Sequence, residues 1–176
     1  SKTAHLPSIC GALLKVGYRP KYYYGGDADF TKMRSYLGAQ GFTDIVSDQN
    51  FPVGDRLSKW GVHDHLLFRK VWEELSSEKP QKEPFFRVVQ TSSSHEPFEV
   101  PYHRLSAYTD SVIGGFLRNF RTLPAWKNTL VILVPDHLGC YPPHISNFDI
   151  NRYRIPLILT GGAVREPKRI DIIGGQ

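Results

Sequence analysis

The stretch PFFRVVQTSSSHEPF, residues 84–98, sets the fold. Phe85, Phe86, Val88 and Val89 form a short apolar run, and Thr91 to His95 follow it as a polar loop. Successive strand residues face opposite ways, so such a run puts apolar side chains on both faces. It needs cover on both sides, which is the habit of parallel sheets. On either side lie amphipathic helices. Residues 63–79 carry Leu67, Val71 and Leu75 beside Phe68 and Trp72, and residues 105–123 carry Val112, Phe116 and Phe120 beside Ile113 and Leu117.

The same alternation runs through the chain. Residues 6–18 have Ile9, Leu13 and Val16 at helical spacing, with Gly17 as a stop. PKYYYGGD (20–27) reads as a strand entering a Gly-Gly turn. Residues 29–42 read as a helix with Phe30, Met33, Tyr36 and Leu37 on one face, and 43–48 as a short strand. FPVGDRLSKWGV (51–62) is loop-like. TLVILVPDH (129–137) reads as a continuous, buried apolar strand, and RYRIPLILTGG (152–162) as the next one. Together they predict an α/β fold: a mostly parallel sheet with helices on both faces.

The 176 residues suffice for one domain with a sizeable core. The net charge is +5, with basic residues scattered rather than clustered, so no nucleic-acid face is expected. No apolar run approaches the ~18 residues that a membrane span needs. Cys10 and Cys140 are far apart in sequence, form no zinc spacing and read as separate thiols. The start, SKTAHLPSIC, reads as the interior of a longer protein.

In parallel α/β sheets ligands gather at the carboxyl ends of strands. Three polar clusters follow strand candidates. Asp136-His137 offers a hard oxygen and a borderline nitrogen, a pair suited to Zn²⁺ or Mn²⁺; the plainer reading is a helix cap beside an exposed histidine. In TSSSHEPF, His95 is a proton donor or anion ligand, or else part of a hydrogen-bonded turn. Ser92, Ser93 and Ser94 lack the G-x-S-x-G setting of a nucleophile. In YYYGGDADFTKMR, Asp29 reads as a helix N-cap and Arg34 as a group able to reach a phosphate or sulfate. His63, Asp64 and His65 resemble a metal arm, but His63 or Asp64 more simply caps the next helix; Tyr102, His103 and His144 fit no pattern.

Taken in order, YYYGGDADFTKMRSYLGAQGF, KWGVHDHLLF, PFFRVVQTSSSHEPFEVP, TLVILVPDHLG and RYRIPLIL resemble the sulfatase-like enzymes related to lipoteichoic acid synthase and phosphoglycerol transferases, in the alkaline phosphatase superfamily. The resemblance is closest to membrane-anchored, Bacteroidetes-type members. It implies that residues 1–176 are the C-terminal part of a catalytic domain, alkaline phosphatase-like in fold. It implies metal binding by Asp136 and His137, a substrate or transition-state role for His95, and head-group contacts from Asp27 and Arg34. Trp60, Gly61 and Asp64 match a motif of structural role. Gly25 and Lys32 stand where lipoteichoic acid synthase has a His and a Trp, a departure that bears on glycerol-phosphate specificity.

The implied activity is phosphoryl or sulfuryl ester transfer or hydrolysis on a glycan or lipid head group, with a divalent ion (Mn, Zn, Ca or Mg). Its substrate would be an anionic glycan or a phospholipid-derived molecule. The parent would be tethered to the cell envelope, with the nucleophile in a preceding part of the domain. The rival reading is a non-catalytic α/β domain that captures an anionic glycan. Because two ligands alone hold a metal weakly, the isolated chain is expected to turn over neither aryl phosphate nor aryl sulfate esters. Release of nitrophenol from either ester by the purified chain would overturn this.

Overall fold

The computed structural model describes residues 6–77, 83–96, 101–137, 145–146 and 148–168, with Tyr153 described by backbone alone. Two compact units form, residues 1–120 and 121–176.

The first unit is built on a parallel three-stranded sheet. Strand β1 (Arg19–Tyr24) lies in the middle, flanked by β2 (Asp44–Val46) and β3 (Phe85–Gln90), in the order β2-β1-β3. The register sets Tyr22 beside Ile45 and Val88, and Tyr23 beside Val46 and Val89. Alternation then sends these two rows to opposite faces. Tyr22, Ile45 and Val88 pack with Cys10 of helix α1 (Ile9–Lys15) and Leu37 of helix α2 (Met33–Gln40). Tyr23, Val46 and Val89 pack with Leu66, Leu67 and Val71 of helix α3 (Asp64–Ser77). Helix α4 (Tyr102–Phe120) joins this second layer through Phe116, whose ring lies 5.0 Å from that of Phe68. The sheet covered on both faces is as the sequence predicts.

Helix faces differ in detail. In α1 the buried residue is Cys10, while Ile9 and Val16 are exposed. The predicted helix over 29–42 is broken at its start. Phe30–Lys32 form a 3-10 turn with Thr31 and Lys32 at φ of 53° and 61°, and the α-helix begins only at Met33. Left-handed conformations cost non-glycine residues about 1–2 kcal/mol each. This kink turns Phe30 out to solvent, and Tyr36 is likewise exposed.

A polar pin crosses the second layer. Glu74 of α3 accepts the hydroxyl of fully buried Tyr23 at 2.8 Å and pairs with Lys21 at 2.9 Å; Lys21 also reaches Asp44 at 3.1 Å. Burial alone would raise the Glu74 carboxyl pKa, but hydrogen bonds from Lys21 and Tyr23, with nearby positive charge, outweigh it and hold it below the usual glutamate range. Burial, then Glu74, pushes the Tyr23 hydroxyl far up.

In the second unit, β4 (Val131–Leu133) and β5 (Ile158–Thr160) form an antiparallel pair. This corrects the expectation of a buried strand across residues 129–137. Only three residues are strand, and Ile132 and Val134 are 53% and 56% exposed. An apolar run is buried only where other elements cover it, and this ribbon has two strands among the described residues. The predicted strand over 152–162 shrinks likewise, because Ile150–Tyr153 form a 3-10 turn. No described helix is long and apolar enough to cross a membrane.

Glu74 has a lowered folded pKa, so its stabilisation is complete above the ordinary glutamate value of about 4.3 and fades as pH falls through the lower folded value. The difference in urea-unfolding free energy between wild type and Glu74→Gln should therefore narrow as pH falls from neutral into the acid range. A difference that stays constant would overturn this role.

Candidate functional site

All three strands of the first unit end in polar loops on the same edge of the sheet, because the strands are parallel. After β1 the chain passes through Gly25-Gly26. A Cβ on Gly25 would sit 2.8 Å from the Val62 carbonyl oxygen, and one on Gly61, at φ 115°, would sit 2.1 Å from the Gly25 carbonyl oxygen. Only glycine allows this backbone-on-backbone contact, sealed by the Val62 amide donating to Gly25 O at 2.9 Å. Asp48, after β2, donates its amide to Gly26 O at 3.0 Å. So the Gly-Gly turn ties the ends of β1 and β2 to the loop that carries Trp60.

The loop after β3 is held from below by Asp64, which is fully buried. Its Oδ1 accepts the amides of Ser92 at 2.9 Å and Ser93 at 3.3 Å, and its Oδ2 accepts the Thr109 hydroxyl at 2.9 Å. In return, Ser93 Oγ accepts the Asp64 amide at 2.9 Å. His63 fills the N-cap position through its carbonyl, which accepts the Leu67 amide at 3.3 Å. Asp64, one of the two residues expected to cap, has its carboxylate turned to the loop after β3 and to Thr109 of α4 instead. His63 and His65 stack with ring centres 6.1 Å apart, and His65 Nδ1 lies 2.6 Å from the Tyr108 hydroxyl. Ser92 is buried and Ser93 is committed to the helix start, which fits neither as a nucleophile.

Above this support sit the predicted substrate groups. Arg34 Nε donates to Asp29 Oδ1 at 2.8 Å, and its Nη2 reaches Ser47 Oγ at 3.3 Å. This overturns the capping role expected of Asp29, whose side chain makes no cap hydrogen bond. Asp27 instead turns the loop, its Oδ1 accepting the Asp29 amide at 2.8 Å. Asp27 also lines a cavity of about 590 Å³ with Tyr24, Phe30, Arg56, Lys59 and Trp60. Burial, with the charges of Asp27 and Asp48, raises the Tyr24 hydroxyl pKa. His95 packs against Trp60, with ring centres 4.5 Å apart and an edge-on geometry. Arg56 and Lys59 escaped the sequence reading, because the stretch 51–62 carries no periodicity beyond the distinctive Trp60-Gly61 pair, and Phe30 reads there only as part of a helix face.

Asp136 and His137 lie in the second unit, both exposed. His137 Nε2 is 3.5 Å from Asp136 Oδ2. Two ligands at about 2.1 Å from a tetrahedral ion stand about 3.4 Å apart, so this spacing fits one edge of a metal shell. Among the described residues no group of three His, Cys, Asp or Glu side chains converges on one point. Cys140 and His144 lie outside the described residues, and Cys10 is a buried free thiol.

A model of the sulfatase family matches residues 1–103. The chain belongs to the sulfatase family. It is 28% identical over 177 residues to phosphoglycerol transferase I of Xanthomonas campestris pv. campestris strain B100, and 26% identical to that of Xanthomonas axonopodis pv. citri. Each match covers 88% of this chain and 25% of the relative, so the chain spans a quarter of those proteins. Among solved structures it resembles an alkaline phosphatase superfamily protein from Vibrio parahaemolyticus, with TM-score 0.80, 27% identity, and coverage of 92% of this chain and 43% of that one. It also resembles the lipoteichoic acid synthase LtaP from Listeria monocytogenes, with TM-score 0.81, 19% identity, and coverage of 94% and 49%. For the Streptococcus pyogenes phosphoglycerol transferase GacH, in complex with sn-glycerol-1-phosphate, the TM-score is 0.62 at 18% identity, with coverage of 86% and 45%. The sulfatase-family chain thus has the alkaline phosphatase-like architecture its sequence resembles.

Asp64→Ala strands the buried Ser92 amide, the half-buried Ser93 amide and the Thr109 hydroxyl, and should cost about 3 kcal/mol. Asp64→Asn keeps the amide acceptor and lets the Thr109 hydroxyl reverse, so it should cost clearly less. Urea denaturation of both variants measures this, and equal losses would contradict the bracket.

Proposed function

We propose that the chain supplies the head-group-binding part of a metal-dependent phosphoryl or sulfuryl ester transferase or hydrolase that acts on a glycan or lipid head group. What supports this reading is that Asp27 shares a cavity with Trp60, that His95 packs on Trp60, and that Arg34 pairs with Asp29 two residues beyond Asp27, in a chain of the sulfatase family. The names of its relatives, phosphoglycerol transferases, point the same way. Arg34 offers its remaining guanidinium donors to a tetrahedral anion, while Nε and Nη2 are engaged by Asp29 and Ser47. Asp27 accepts hydroxyls of the head group within the cavity. His95 stabilises charge on the transferred group or serves the leaving group.

Asp136 and His137 would hold the divalent ion through oxygen and nitrogen. Bound there, such an ion supplies Lewis acidity toward an ester oxygen. We place the nucleophile outside these 176 residues and the parent protein in the cell envelope, anchored to the membrane.

Binding tests the reading without turnover. Titration of the chain with sn-glycerol-1-phosphate and with inorganic sulfate should show saturable binding of at least one. Arg34→Ala and His95→Ala should each weaken it about tenfold or more, as loss of a charge-assisted hydrogen bond does. Affinities unchanged in both variants would overturn the assignment.

A further inference from the structure

His95 does more than face a ligand: its ring is set by its surroundings. Nδ1 lies 2.7 Å from the carbonyl oxygen of Glu96. That carbonyl also accepts the indole Nε1–H of Trp60 at 2.8 Å. A carbonyl oxygen only accepts and an indole only donates, so neither contact can reverse its sense. The proton of a neutral His95 imidazole must therefore sit on Nδ1, leaving Nε2 bare. Both lone pairs of the Glu96 oxygen are then used. Nε2 has no hydrogen bond among the described residues.

Trp60 is itself fixed. Its amide donates to Ser58 Oγ at 3.2 Å, and the next residue, Gly61, is locked against Gly25. Its ring packs edge-on with that of His95, with centres 4.5 Å apart. The imidazole is thus held by a hydrogen bond at one nitrogen and by an aromatic neighbour.

We propose that Trp60 is a positioning residue for His95: through the shared Glu96 carbonyl and its ring contact, it holds the imidazole in the Nδ1–H tautomer with Nε2 presented to the anion. In this form Nε2 accepts a proton or a ligand hydroxyl, and once protonated it donates to an anionic oxygen. The tautomer is a property of this chain alone. Its use in recognition rests on the role given to His95 above.

The test is a long-range proton–nitrogen correlation spectrum of the imidazole nitrogens in the purified chain, in alkaline buffer. The chain has seven histidines, and His95→Gln assigns the signal by deleting it. Wild type should show a protonated Nδ1 and a bare Nε2, against the Nε2–H form that free imidazole side chains favour in water. Trp60→Phe keeps a ring but removes the N–H, and should move His95 toward a mixture of tautomers; Trp60→Ala should move it further. If Trp60→Ala fails to fold, Trp60→Phe decides. An Nε2–H form in wild type, or an unshifted Nδ1–H form in folded Trp60→Phe, would overturn the proposal.

The same variants titrated with sn-glycerol-1-phosphate should bind about fivefold more weakly, the worth of one modest hydrogen bond. Equal affinity in wild type and variants would overturn the positioning role. Failure of the wild type to bind either anion would instead sink the reading of the site, and the tautomer measurement would still decide this proposal.

Discussion

One buried carboxylate carries much of the first unit. Asp64 stands where the polar end of the sheet meets the start of α3, and its two oxygens take three donors from two separate elements. A carboxylate stripped of water is costly unless its oxygens are satisfied. Here the donors come from the loop after β3 and from α4, so burial of the charge and ordering of the loop are one event. The place of His95 then follows: its amide bonds to the carbonyl of Ser92, the residue whose own amide rests on Asp64.

Around this pin the site uses backbone more than side chains for its frame. The Gly25–Val62 and Gly26–Asp48 hydrogen bonds tie the loops together, and a Cβ on Gly25 or Gly26 would run into the carbonyl oxygen of Val62 or Trp60. Side chains are then free to act on a ligand or on one another. Arg34 is held by Asp29 and Ser47, and His95 leans on Trp60. The strained pair Thr31 and Lys32 lies between the two acidic residues and Arg34, where the chain must turn out from the sheet before α2 begins.

Much of this was legible in the sequence because it follows from period and position. The strands at β1, β2 and β3 and the helices between them are marked by runs of apolar residues, and the rule of strand ends pointed to the loops that hold Asp27 and His95. What stayed hidden depends on distance in space. Asp29 has the composition of a cap, but Arg34, five residues on, offers its carboxylate a charged partner. Arg56 and Lys59 belong to a loop without periodicity and matter only because it folds back beside Tyr24 and Asp27. The run Leu130 to Val134 looks like a core strand by composition alone, yet burial is set by neighbours, and among the described residues β4 has a single strand partner. The pairing of Asp136 with His137 was readable because the two are adjacent.

The close contact of Gly25 with Gly61 and Val62 divides the site into two kinds of position. Where main chain touches main chain, any added atom must displace the sheet edge itself, so drift in sequence is closed off. Phe30 and Lys59 line the cavity beside Tyr24 and Asp27, outside this main-chain contact. A change at Gly25 or Gly61 therefore acts on the frame, and a change at Phe30 or Lys59 on the lining of the cavity.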